Sequence, residues 1–161
     1  MDTHEHHAHH EHHHEGSLTR TAVQATLHCL TGCAIGEILG MVISTALGFG
    51  DVLSIVVSIA LAFVFGYALT LRPVFAAGIA PRRALQLAFA SDTLSITTME
   101  IVDNGFIVLV PGALAAGLGD GLFWWSLLTS LVIAFVATVP VNRYLIARGK
   151  GHAVMHEFPH H

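Results

Sequence analysis

Apolar residues run through this chain in four long blocks separated by short polar turns. The first block extends from Thr21 to Leu47 and closes on Gly48-Phe49-Gly50-Asp51. The second, Val52 to Leu71, contains no charged residue and stops at Arg72-Pro73. The third lies within Ala84 to Leu118, and the fourth is Leu122 to Val141. Trp124 and Trp125 stand at the start of the fourth block and Tyr144 just beyond its end, where aromatic anchors meet the membrane surface. Each block supplies the roughly 20 residues that an α-helix needs to cross a bilayer. The third is too long for one straight crossing, since a rise of 1.5 Å per residue makes it about 52 Å long against a ~30 Å hydrocarbon core. Its first two turns are expected to lie along the membrane surface, and Asn104-Gly105 or Pro111 to kink it. The pattern predicts an all-α polytopic membrane protein with four transmembrane helices.

Charge gives the orientation. Arg20, Arg72, Arg82, Arg83, Arg143, Arg148 and Lys150 are all the basic residues present. With four crossings they fall on one side, and the opposite turns carry only Asp51 and Asp120. The positive-inside rule then places both termini in the cytoplasm. Splitting the third block into two crossings would put the C-terminal basic residues on the wrong side, so one crossing is expected there.

The composition agrees with this reading: of 161 residues, 53% are hydrophobic and 11% charged, which excludes an ordinary soluble domain. The seven basic residues form no stripe suited to a phosphate backbone, so nucleic acid is not an expected partner. Residues 1–17 hold eight histidines among glutamates and are expected to be a disordered tail. They lack the basic start and apolar run of an export signal. A four-helix domain is expected over residues 18–148. Residues 149–161 form a second His-containing tail with His152, His156, His160 and His161.

Four carboxylates sit inside the apolar blocks: Glu37, Asp92, Glu100 and Asp103, with no Lys or Arg inside the spans. A charge at the bilayer centre costs roughly 2.5–3.5 kcal/mol on insertion scales, so four unused ones would cost about 10 kcal/mol. They are expected to carry protons or to hold a cation from outside. On the first span, 100° per residue places Cys29, Cys33, Gly36 and Gly40 on one face, with Glu37 on its edge and His28 flanking it. Gly32, Gly36 and Gly40 make a tandem small-residue stripe for close helix packing. On the third span Asp92, Ile96, Met99 and Asp103 stack at helical spacing, with Ser95 and Glu100 on the edges. The two spans run parallel. Counting depth from Arg20 and Arg83 sets Cys29 level with Asp92, Cys33 with Ile96, and Glu37 with Met99 and Glu100.

Thiolate and thioether ligands select Cu(I), whereas imidazole and carboxylate admit Zn(II) or Ni(II). The expected metal ligands are Cys29, Cys33, His28, Met99 and Glu37, with Asp92, Glu100 and Asp103 as a cation or proton path. Metal binding deprotonates such ligands, which couples metal to protons. No Ser-His-Asp order, phosphate loop or HExxH is present, so binding or transport is expected rather than catalysis. The alternatives are an accessory or assembly subunit, a metal-free proton relay, and a membrane thiol oxidoreductase. The last normally needs a CxxC pair and a partner pair near the surface, where this chain has one CxxxC at membrane depth.

Three stretches, HCLTGCAIGE from His28 to Glu37, SDTLSITTMEIVDN from Ser91 to Asn104 and PVNRYLIARGKGHA from Pro140 to Ala153, resemble one family. It is a bacterial family of small integral membrane proteins catalogued as a domain of unknown function. The resemblance covers residues from about 21 to 153 and implies a four-helix membrane domain. It places His28, Cys29, Cys33, Glu37, Asp92, Met99, Glu100 and Asp103 in the family's motif positions, and implies no activity. The resulting expectation is a multi-pass protein of the bacterial inner membrane, surrounded by lipid, that binds or moves a transition-metal ion. The His-rich tails would concentrate metal on the cytoplasmic side, and a homodimer or larger assembly through the glycine face would complete the path.

Overall fold

The structure, a computed structural model, describes residues 6–76, 78 and 80–148. They form four helices and no strand: α1 (His6–Leu47), α2 (Asp51–Ala76), α3 (Pro81–Leu109) and α4 (Gly121–Ala147). The helices run up and down in a ring in chain order. α1 and α3 also touch across the diagonal, and α2 and α4 make no contact among the described residues. Arg20, Arg72, Arg82, Arg83, Arg143 and Arg148 therefore share one end of the bundle, with Asp51 and Asp120 at the other.

Three helices contain segments long and apolar enough to cross a membrane: Gly16–Leu47, Asp51–Pro73 and Gly121–Ala147. In α3 the polar residues lower the mean hydropathy, but they point inward. Asp92, Glu100 and Asp103 are buried, whereas Leu94, Ile101 and Val108 on the same helix are exposed. A helix with carboxylates inside and large apolar side chains outside is arranged as lipid requires and as water does not.

The helix ends depart from the sequence expectation in ways that backbone chemistry explains. α1 begins at His6, so residues 6–17, which composition marked for disorder, continue the helix. Extending an existing helix avoids the cost of nucleating a new one. Residues 1–5 and the C-terminal tail 149–161 lie outside the described residues. α2 passes through Pro73 to Ala76 instead of stopping at Arg72, and α4 passes through Pro140 to Ala147. Pro73 lies in the last turn of α2, where few intrahelical bonds are left to lose. α3 ends at Leu109, directly before the Val110-Pro111 pair, because a residue preceding proline is pushed to extended backbone; Val110 has ψ 114°. Asn104 and Gly105 stay within that helix.

α1 closes in a Schellman arrangement. Gly48 adopts φ +68°, its N–H donates to Thr45 O (3.4 Å), and the Phe49 N–H donates to Ser44 O (2.9 Å). Between α3 and α4, residues 110–120 fold in successive turns over the acidic end of the bundle, with Ala113 and Ala116 buried. Asp120 fixes this connection by accepting from the Gly117 N–H (2.8 Å), and Trp124 Nε1 donates to Leu118 O (2.9 Å).

Candidate functional site

The glycine stripe determines how close α1 and α2 come. A Cβ at Gly32 would lie 2.7 Å from the Gly66 Cα, one at Gly36 would overlap the Ala62 backbone, and one at Gly40 would overlap Ser58. The complementary stripe, Ser58, Ala62 and Gly66, repeats small residues every fourth position and was readable in the sequence, although the expectation above did not use it. Gly66 also admits Ile96 of α3, whose Cδ1 would be 2.6 Å from a Cβ there. The face expected to bind another subunit is thus covered by α2 of the same chain. Tight α1–α2 packing leaves the adjoining face of α1 for the polar residues of α3.

On that face, Cys29, Cys33, Ala62, Ile96, Met99 and Ala134 form one buried cluster. The Cys33 Sγ lies 3.9 Å from Met99 Sδ. Cys29 and Cys33 are free thiols, both buried. Cys29 neighbours Asp92, and Cys33 neighbours Glu100, Glu37 and Cys29. Glu37, one helical turn above Cys33, neighbours Asp103 and Glu100. From the arginine end to the acidic end the order is therefore Asp92–Cys29, Cys33–Met99–Glu100, then Glu37–Asp103. The parallel ladder exists, but its upper rungs lie about one turn further along α3 than depth counting gave.

The polar atoms of this column are left mostly to themselves. Glu37 and Asp103 are 7% and 1% exposed; their carboxyls lie within hydrogen-bonding reach of each other, and no other group among the described residues donates to either. Glu100 is anchored on one oxygen, which accepts from Asn104 Nδ2 (3.0 Å), and its carboxyl lies within hydrogen-bonding reach of the Cys33 thiol. Buried carboxyls without counter-charges are costly in a low-dielectric interior, and they mark places where a proton or a cation is taken up.

His28 stands apart from this column. It is half-buried, and its Nε2 has no partner among the described residues. Among the described residues, no group of three or more His, Cys, Asp and Glu side chains is placed to hold a metal ion. The ligand set expected from sequence is therefore not gathered as one such group. What comes together is a thiol–thioether pair with carboxylates around it.

Toward the arginine end, across α1, α3 and α4, lies a network missed by the sequence reading. Asn142 Nδ2 of α4 donates to Thr26 Oγ1 of α1 (2.8 Å), and Ser95 Oγ of α3 donates to Asn142 Oδ1. All three side chains are buried. Ending the fourth span at Val141 left Asn142 outside the membrane interior. Its amide amid apolar residues was the available signal.

A cavity of about 420 Å³ opens at the acidic end. Glu37, Met41, Ser44, Asn104 and Ala113 line it, and Asp51 stands among its lining residues.

A family model matches residues 19–151, nearly the whole helical bundle. The chain belongs to the DUF4396 family, a domain of unknown function. The matched region contains the whole column from Cys29 to Asp103 and excludes most of both His-rich ends. No curated protein and no solved structure matches the chain.

Proposed function

We propose that this DUF4396 protein spans the bacterial inner membrane four times, with both termini cytoplasmic, and binds or translocates a transition-metal ion through its interior. Cu(I) is the first choice of ion and Zn(II) or Ni(II) the second. The observation that carries the reading is the buried Cys33–Met99 pair at 3.9 Å beside Glu100, with no basic side chain among its neighbours. Thiol and thioether together are a soft donor set, and Cu(I) is satisfied by few such ligands. Zinc usually takes four N, S or O donors, which the described residues do not gather. Cys33 and Met99 would be the primary ligands and Cys29 a further one. Glu37, Glu100 and Asp103 would form the path of the ion or of the protons it displaces. The His-rich tails would collect metal at the cytoplasmic face.

The test compares Cu(I) bound by the full-length protein and by its Cys29→Ser/Cys33→Ser variant, in detergent, under reducing conditions, against a competing chelator. Both carry the same histidines, so the difference reports the interior. Loss of about one tightly held copper per chain in the variant is the expected result; equal copper in both would refute the site.

A second reading is a metal-free proton relay, favoured by the buried Glu37–Asp103 carboxyl pair, which a shared proton would hold together. Copper binding that does not depend on the thiols would leave this reading in place. An assembly subunit docking through the glycine stripe is disfavoured, because α2 covers that stripe. A thiol oxidoreductase is disfavoured by the burial of both cysteines.

A further inference from the structure

The two ends of the bundle differ in packing. At the arginine end, Thr26, Ser95 and Asn142 are buried and hydrogen-bonded across α1, α3 and α4. At the acidic end, the cavity enters between α1, α2 and the residues 113–117 connection and extends as far as Glu37. Its volume, about 420 Å³, holds several waters. Its lining is suited to a cation: Glu37 lies along its wall, and Asn104 and the hydroxyl of Ser44 contribute further oxygens. Ser44 is 2% exposed and its Oγ has no hydrogen-bond partner, so an oxygen of α1 unrelated to the acidic cluster is also left unsatisfied beside the cavity. Glu37 has only the Asp103 carboxyl for a partner and receives no bond from an amide, hydroxyl or basic group among the described residues. Buried polar atoms are normally satisfied by protein or by water, and here water or an ion must supply the missing contact.

We propose that this cavity is the hydrated passage by which a cation exchanges between the acidic face of the membrane and the buried column, with Glu37 at its inner limit. A hydrated cation in it meets oxygen ligands first and the sulfur pair one helical turn deeper. The bundle is therefore open toward the Asp51/Asp120 side and closed toward the arginines by the Thr26–Asn142–Ser95 network. The inference rests on the reading above in taking the buried column as the destination, and it adds the side from which that column is reached.

The test uses the full chain in sealed membranes and two membrane-impermeant methanethiosulfonates, one with a quaternary ammonium and one with a sulfonate. Thr45→Cys, exposed at the mouth, identifies the acidic face. Ser44→Cys and Met41→Cys report the interior of the passage, and Met41→Cys serves if Ser44→Cys does not fold. Labelling of the native thiols in wild type is subtracted. Both interior positions are expected to react from the Thr45 face, with the cationic reagent at least about tenfold faster than the anionic one, as a negatively charged cleft focuses cations. Glu37→Gln is expected to reduce that preference to the value at Thr45→Cys. Reaction from the arginine face alone, reaction from neither face, or equal rates for the two reagents would overturn the proposal. Copper measurements are separate: a cation-selective passage without thiol-dependent copper would refute the metal reading and leave the passage standing.

Discussion

The Sγ of Cys33 on α1 and the Sδ of Met99 on α3 lie 3.9 Å apart at the centre of the bundle, across its short diagonal. Nothing in an apolar core requires sulfur on both sides of that contact. Met99→Leu conserves volume, so it is expected to cost less than about 1.5 kcal/mol of stability. It removes a soft donor, so Cu(I) affinity is expected to fall by about tenfold or more, or roughly 1.4 kcal/mol. Chelator competition and thermal unfolding of the same sample separate the two effects. Unchanged affinity would remove Met99 from the site.

Two glycines on different helices give opposite expectations for the same substitution. Gly36→Ala drives a methyl into the Ala62 backbone, which cannot yield without parting α1 from α2. A loss of about 1–3 kcal/mol is expected, as for overpacked cores. Gly105→Ala, inside α3 with nothing within 4 Å of the new Cβ, is expected to be neutral or to stabilise by up to about 1 kcal/mol. Melting temperatures in one detergent check both. A change of oligomeric state in Gly36→Ala without loss of stability would restore the glycine face as a subunit interface.

Asn142→Ala removes a side chain that bonds both Thr26 and Ser95. Interhelical hydrogen bonds in membranes average about 0.6 kcal/mol and reach about 1.7, and a loss toward the upper value is expected because two bonds go together. The same variant should open the arginine end, making Thr26→Cys in an Asn142→Ala background reactive from that face. No change in either measurement would show that the network is dispensable.

Glu37→Gln keeps the shape of the side chain and removes an ionisable carboxyl that neighbours Asp103 and Glu100. A neutral amide is easier to bury beside two carboxyls, so thermal stability should hold or rise while ion movement in vesicles falls. A melting temperature lower by several degrees would mean that Glu37 is held by a bond its carboxyl alone can make.

The crossing of α3 is tested by topology. Reporter fusions after Gly112 and after Arg148 are expected on opposite faces of the membrane, the second on the cytoplasmic one. Both on the same face would exclude an α3 crossing.

Much of this architecture was legible in the chain. Four apolar blocks, basic residues confined to alternate turns and acids at helical spacing are local properties of sequence, and helix formation in lipid leaves little freedom, since every backbone polar group must be satisfied within the segment. That is why the bundle, its up-down order and the shared face of Asp92, Met99 and Asp103 could be read in advance.

Other features depended on how one helix settles against another. Cys33 meets Met99 and Glu100 rather than only the Ile96 level, a displacement of about one turn, or roughly 5.4 Å. How far one helix is shifted along another is set by contacts such as Ile96 at Gly66, which are not encoded in the spacing of a single helix. Similarly, the stripe Gly32, Gly36 and Gly40 announced close packing in the sequence, but whether α2 or a second copy would fill it was a matter of three-dimensional competition. Periodicity fixes which residues share a face; only the crossing of helices, set by steric fit across their surfaces, decides what that face meets.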